Sequence, residues 1–226
     1  MFIKVLTNVI LKYFSLRDRT HMLKKIVAIG PESTGKSSLC KQLAEHYDTL
    51  WCPEYAREYL MIHGMNYTYD DLLTIAKEQV ELEEKYESEI RSLDPRVNSQ
   101  SNSLPTHGSP LTTKNSPLTT QDSLLFIDTD MYVMKVWCEF VFGKCHQFIL
   151  DQIAKRKYDL YLLCDIDLPW TYDKLREYPD EGPRQKLYGI YKTIMQNQLT
   201  PWIEINGNYE QRVQKAINAI QGLIRQ

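Results

Sequence analysis

Cysteine is scarce in this 226-residue chain and poorly placed for metal or disulfide chemistry. Cys40, Cys52, Cys138, Cys145 and Cys164 are odd in number and nowhere spaced as CxxC. That pattern argues against a disulfide framework and a zinc knuckle, and a reducing cytoplasm is the expected setting. Charge of one sign is missing too. Twenty-seven basic against twenty-nine acidic side chains leave a formal net charge of −2, so no global field draws nucleic acid or an anionic membrane. An anionic ligand therefore needs a local site. Long apolar runs are also absent. The apolar N-terminal stretch is cut by Lys4, Thr7, Asn8 and Lys12, is too short to span a bilayer, and carries no legible signal-peptide cleavage site. Phe2, Val5, Leu6, Val9, Ile10, Tyr13 and Phe14 fall at helical spacing. Membrane-surface contact, a helix lying on the domain, and an extension upstream of a start at Met22 all stay open, and the extension, residues 1–21, is favoured.

What is present is ordinary globular composition, 43% hydrophobic and 25% charged, in a length that suits one α/β domain with a full core. The run KKIVAI (24–29) is short, β-branched and followed at once by glycine, which predicts a buried central strand feeding a turn. Further strands are predicted at 124–128, 159–165 and 202–206, with a weaker one at 49–53. A helix starting near Lys36, with Leu39, Leu43 and Tyr47 on one stripe, is followed by others at about 54–63, 70–91, 130–142, 147–157, 184–198 and 208–224. Strands and helices in alternation indicate a doubly wound parallel α/β sheet of about five strands. The charged stretch 70–91 reads as a solvated helix face with Glu81–Lys85 and Glu87–Arg91 spaced as pairs. Residues 94–122 turn to Ser, Thr, Asn, Pro and Gln with SPLTT repeated, the composition of a disordered insertion that need not divide the domain at 22–226.

With only nine glycines in the chain, the pair in Gly30-Pro31-Glu32-Ser33-Thr34-Gly35-Lys36-Ser37 stands out. The run fits GxxxxGK[ST], the P-loop, between a predicted strand and a predicted helix as that motif requires. Its glycines permit the tight dihedrals that turn successive N–H groups around phosphate oxygens at the positive end of a helix. Gly30, Ser33, Thr34, Gly35, Lys36, Ser37 and Ser38 are the expected ATP-binding residues. Lys36 would reach the β- and γ-phosphates, and the Ser37 hydroxyl would ligate Mg²⁺. A carboxylate is needed on the metal side, and Asp128 ends the strand 124–128. Asp130 has two open readings, substrate contact and helix N-cap. Trp137, Phe140 and Phe142 read as core. Glu54, at the exit of the second strand, is the candidate general base, with the first turn of a helix as the alternative reading.

Three absences narrow the P-loop class: no NKxD for guanine, no LSGGQ of transporter ATPases, and too little length for an AAA-type lid domain. A small-molecule kinase remains. Such an enzyme needs cations that close over the transferring phosphoryl. Lys174, Arg176, Arg184 and Lys186 flank the Pro/Gly-broken segment PWTYDKLREYPDEGPRQK, which reads either as a lid or as a solvated loop. Arg176 and Arg184 are the candidate catalytic cations.

The runs KIVAIGPESTGKSSL, PEYAREY, FIDTD before an aromatic-rich helix, and DLYLLCDIDLPW together resemble the ribosylnicotinamide kinase domain of the NadR type, over residues 24–220 apart from the insertion. That resemblance implies phosphorylation of nicotinamide riboside to nicotinamide mononucleotide with ATP. It also implies a riboside pocket near Glu54, Tyr55, Arg57, Asp128, Asp130 and Trp170. The match has departures. Longer members add a DNA-binding helix-turn-helix and a nucleotidyltransferase domain with an HxGH-like motif, which the five histidines do not form. Neither repression nor adenylyl transfer is expected. Glu32 also puts an acid in the phosphate loop. Another nucleoside or nucleotide kinase is the runner-up, and a non-catalytic ATP-sensing module is the reading from a different class.

Overall fold

The computed structural model describes residues 23–93, 123–178 and 180–225. The expectations for residues 1–21 and for the 94–122 insertion lie outside them. Five strands, β1 (Lys24–Ile29), β2 (Leu50–Cys52), β3 (Leu124–Asp128), β4 (Leu160–Cys164) and β5 (Trp202–Ile205), form one sheet in the order β2-β3-β1-β4-β5. Every pairing is parallel. Seven helices connect them among the described residues: α1 (Lys36–Tyr47), α2 (Tyr55–His63), α3 (Tyr69–Leu93), α4 (Met131–Phe142), α5 (Gln147–Lys155), α6 (Glu181–Asn197) and α7 (Tyr209–Ile224). None of the helices is long and apolar enough to cross a membrane. The doubly wound sheet expected from the alternating pattern is the observed fold.

Parallel strands need helical crossovers, and the crossovers cover both faces, so the strand interiors are apolar throughout. Alternate side chains sort the core into two layers. Ile26, Ala28, Phe126 and Leu162 face α1 and α7, where Leu43, Ala216 and Ile220 meet them. Val27, Ile29, Leu125, Ile127 and Leu163 face α4 and α6, against Val136, Leu187, Tyr191 and Met195. β1 sits at the centre, between β3 and β4, with Ala28 in register with Asp128 and Ile29 with Leu163. The C-terminal ends of the central strands therefore open on one edge, and the crevice outside such an edge is where doubly wound sheets bind ligands.

Two expectations about the helices need correction. α6 begins at Glu181, three residues before the expected 184. Gly182 and Pro183 lie in its first turn, where proline's missing N–H would have no helical partner anyway. α3 is also not simply solvated. Glu83 is only 1% exposed and accepts from Lys25 Nζ at 3.2 Å, Arg156 Nε at 3.3 Å and the Tyr158 hydroxyl at 3.0 Å. Lys25 also holds Glu87 at 2.8 Å, and Arg156 holds Glu84 at 3.0 Å. This cluster ties α3 to the start of β1 and to the chain entering β4. Breaking a buried charge cluster leaves uncompensated ions, so Glu83→Ala should cost about 3–5 kcal/mol, read as a lower urea midpoint. A loss under about 1 kcal/mol would show that the cluster contributes little to the fold.

Candidate active site

The turn from β1 into α1 reverses the chain within Gly30–Gly35 and does so in conformations that side chains resist. Gly30 has φ +142°, and a Cβ there would lie 2.6 Å from the Cys164 carbonyl oxygen, so only glycine lets the turn pass so close to the end of β4. Gly35 caps α1 in the left-handed region at φ +78°, and no side chain caps the helix. The first-turn amides of a 12-residue helix are thus left for a ligand. Lys36 curls back over the loop, its Nζ donating to the Gly30 and Pro31 carbonyls at 3.0 and 2.8 Å. The Thr34 hydroxyl closes the same turn on Pro31 O at 2.8 Å.

A cavity of about 510 Å³ opens from this loop. At its floor Asp128 is 1% exposed, and its Oδ1 has no hydrogen-bond partner. Burial and the nearby Glu54 carboxylate push Asp128 up to about 6, while Lys36 and the Ser37 hydroxyl act the other way. A buried acceptor without a donor, beside a lysine and a serine hydroxyl, fits a cation site. Among the described residues no cluster of three or more His, Cys, Asp or Glu side chains could hold a metal ion. A hard cation would have to share ligands with phosphate oxygens, as Mg²⁺ does.

Glu54 also lines the cavity, close to Asp128, in extended backbone just before α2, and makes no cap bond to the helix. It thus stands at the start of the helix with Arg57 in its first turn, as the alternative reading had it, while Glu54 faces the cavity as well. The Gln79 side chain fixes its flanks, accepting from Tyr55 N at 2.7 Å and donating to Pro53 O at 3.2 Å. The Thr129 hydroxyl donates to Glu54 Oε1 at 3.3 Å. Thr129 itself has φ +80°, rare for a β-branched residue. This bend separates the two aspartates on either side of it.

Asp128 faces the cavity and Asp130 faces inward. Asp130 Oδ1 accepts from Tyr132 N and Val133 N at 2.9 and 3.3 Å, capping α4, and Oδ2 accepts from the Tyr161 hydroxyl at 2.8 Å. Burial raises it to about 6 against those donors. The substrate-contact reading of Asp130 is corrected to the cap, because both oxygens are held inside and neither lines the cavity. Three other expected residues also stand back. Tyr55 packs in the cluster of Leu72, Ile75 and Met134. Trp170 stacks edge-on with Tyr172 at 6.2 Å. Arg184, 5% exposed, reaches the Ile166 and Leu168 carbonyls at 3.5 and 3.4 Å and braces the loop from beneath.

The segment 171–178 does lie over the phosphate loop, as a lid would. Ser33 Oγ accepts from Thr171 N at 3.0 Å and from Arg176 Nη1 at 3.2 Å. Glu32 Oε2 accepts from Glu177 N at 2.9 Å and from Tyr178 N at 3.4 Å, so the unexpected acid of the P-loop is a latch for this segment. Arg57 pairs with Asp173 at 2.6 Å and joins the segment to α2. Arg57 and Arg176 both line the cavity.

Trp137 and Phe140 pack against the core clusters, as expected, but they also line the cavity, with Trp51, Leu60, Tyr178 and Tyr191 completing an apolar wall. Phe142 packs on Tyr67 and Tyr69 as expected of core. Trp137 Nε1 donates to the Tyr67 hydroxyl at 2.9 Å, and that hydroxyl donates to Glu177 at 2.9 Å. Glu177, Asp173 and Trp137 were legible only indirectly, as neighbours of Arg176 and as the aromatic face of α4.

A family model described as an AAA domain (AAA_28) matches residues 25–98 and 112–212. The chain belongs to this AAA domain family. Exclusion of the AAA class for want of a lid domain is thereby overturned, because the match is carried by the P-loop sheet domain itself. The trifunctional NAD biosynthesis/regulator protein NadR of Escherichia coli (strain K12) is 19% identical over 221 residues, 94% of this chain and 46% of its own. The protein of that name from Salmonella typhimurium matches equally. The chain therefore spans about half the length of the curated relatives it matches. Among solved structures, NadR in complex with NR superposes with a TM-score of 0.63 at 20% identity, over 91% of this chain and 53% of that one. NadR with NAD and AMP-PNP gives 0.61 at 20% identity, over 91% and 51%. Thymidylate kinase from Ehrlichia chaffeensis gives 0.53 at 11%, over 88% and 100%. These likenesses show that the chain shares the fold of those proteins.

The assignment of Asp130 to the cap has a direct check. Asp130→Ala should lower stability by about 2 kcal/mol, from a lost cap and an unsatisfied Tyr161 hydroxyl, with ligand affinity unchanged well below the melting temperature. Unchanged stability with weakened acceptor binding would restore the substrate-contact role.

Proposed function

We propose that this chain transfers the γ-phosphoryl group of ATP to the 5′-hydroxyl of nicotinamide riboside, giving nicotinamide mononucleotide. The observation that carries the reading is the continuity of one cavity. The phosphate loop with Lys36, the Glu54 carboxylate near Asp128, and an aromatic wall of Trp137, Phe140 and Tyr178 that can hold a flat ring all line it. The likeness to NadR supports the choice of acceptor, since a solved NadR binds NR and another binds AMP-PNP.

The P-loop cradle fits a nucleotide triphosphate for the reasons already given: uncapped first-turn amides, two glycines in positions that exclude a side chain, and a lysine folded over the loop. In this reading the amides of α1 hold phosphate oxygens, and Lys36 leaves the Gly30 and Pro31 carbonyls to stabilise charge on the transferring group. Ser37 and Asp128 are the residues that would hold Mg²⁺, which would supply positive charge to offset that of the phosphates. Glu54 orients the acceptor hydroxyl and takes up its proton at a carboxylate oxygen. Arg176, on the 171–178 segment, supplies the second cation and helps exclude water. Arg57 and the aromatic wall position the riboside. Arg184 supports the loop that carries these groups and does not touch the cavity in this conformation.

A coupled ADP-release assay over a nucleoside panel tests the proposal. Nicotinamide riboside should give a higher kcat/KM than uridine, cytidine or thymidine. A pyrimidine nucleoside at the top would install the runner-up kinase reading, and ATP binding without turnover on any acceptor would favour a sensing module.

A further inference from the structure

Arg212, on the first turns of α7, is a charged side chain that none of the chemistry above uses, yet it is 3% exposed. Its guanidinium is satisfied entirely by neighbouring loops. Nη1 donates to the Thr34 carbonyl at 2.9 Å, Nε to the Gly207 carbonyl at 2.8 Å, and Nη2 to the Asp165 carbonyl at 3.0 Å. Nη2 also pairs with the Asp167 carboxylate, whose other oxygen accepts from Gly207 N at 2.5 Å. Three separate stretches thus meet on one planar fork: the phosphate loop, the exit of β4, and the turn between β5 and α7. The turn is itself rigid, since Asn208 and Gln211 form a capping box and Gly207 sits at φ +98°.

The Thr34 contact has a consequence for the cradle. The Thr34 carbonyl and the Gly35 N–H belong to one planar trans peptide and point in opposite directions, and no peptide bond among the described residues is cis. Pinning the carbonyl backwards onto Arg212 therefore turns the Gly35 N–H forward, to the side where Gly35 lines the cavity. Gly35 holds the left-handed conformation that this orientation needs. A lysine would keep the charge but concentrate its donors at one point, unable to span three stretches in the geometry of the fork.

We infer that Arg212 is a positioning residue for nucleotide binding, fixing the Thr34–Gly35 peptide so that its N–H faces a bound phosphate. The inference rests on the proposed function only in taking that phosphate to be a nucleotide's. It adds a residue far in sequence from the phosphate loop to the groups that set ATP affinity.

The test compares binding of ADP with Mg²⁺ and of nicotinamide riboside, by calorimetry, to the unaltered chain and to Arg212→Lys, together with their melting temperatures. Arg212→Lys should weaken ADP binding about 10- to 100-fold while changing riboside binding less than twofold, measured well below the melting temperature. ADP affinity within twofold of the unaltered chain would overturn the inference, as would equal losses for both ligands, the mark of general loosening. Should Arg212→Lys fail to fold, the same comparison on Asp167→Asn decides. That change removes the carboxylate that orients the fork, and an unchanged ADP affinity there overturns the inference. Binding of ADP but not of riboside by the unaltered chain would overturn the acceptor assignment, leaving Arg212 to be judged on ADP alone. Absence of ADP binding would overturn both.

Discussion

The chain reversal between β1 and α1 is the constraint on which the site depends. It must bring a helix N-terminus to the edge of the central strand while passing within contact of β4, and the 2.6 Å approach of a built Gly30 Cβ to the Cys164 carbonyl shows how little space is left. Because β1 is central, its neighbours β3 and β4 end beside the same turn, and Asp128 comes to the floor of the cradle through simple register with Ala28. The helix has no side-chain cap, which leaves its first-turn amides free to meet an anionic ligand. Covering both sheet faces with helices makes that edge rigid, so the cradle is built before any ligand arrives.

Around this fixed cradle the acidic side chains are sorted by backbone direction. Thr129, strained at φ +80°, sends Asp128 outward and Asp130 inward, where the latter caps α4 and holds Tyr161. Glu54 is kept free of its own helix by the Gln79 clamp on both its neighbours. Glu32 is drawn instead to the backbone of Glu177 and Tyr178. The four acids thus take four positions: Asp128 with an unpartnered oxygen at the cavity, Asp130 as a cap, Glu54 on the cavity lining and Glu32 as a latch.

The parts of the molecule legible in the sequence are those governed by local rules. β1, β3 and the P-loop could be read because a buried β-branched run, a glycine and a GKS triplet depend only on near neighbours. Gly182 and Pro183 hid the first turn of α6, since the same pair marks a loop unless the helix has already begun. The aromatic wall was missed because Trp137 and Phe140 sit on the same helix as the core residues Val133, Val136 and Cys138, and spacing does not tell a cavity from a core. Glu83 and Arg212 were invisible for another reason. The partners of Glu83 lie 58 to 75 residues away and, apart from the nearby Gly207, those of Arg212 lie 45 to 178 away, so only the fold brings them together.

The account's central claim is that Asp128 and Glu54, neighbours in one cavity, have separate roles, Asp128 toward a cation and Glu54 toward an acceptor. Calorimetric titration of ATP with and without Mg²⁺ against the unaltered chain, Asp128→Asn and Glu54→Gln tests it most directly. Mg²⁺ should strengthen ATP binding to the unaltered chain and to Glu54→Gln alike, and its benefit should fall by about 10-fold or more in Asp128→Asn, which loses a charged ligand. A lost Mg²⁺ effect in Glu54→Gln, with the effect intact in Asp128→Asn, would contradict the account.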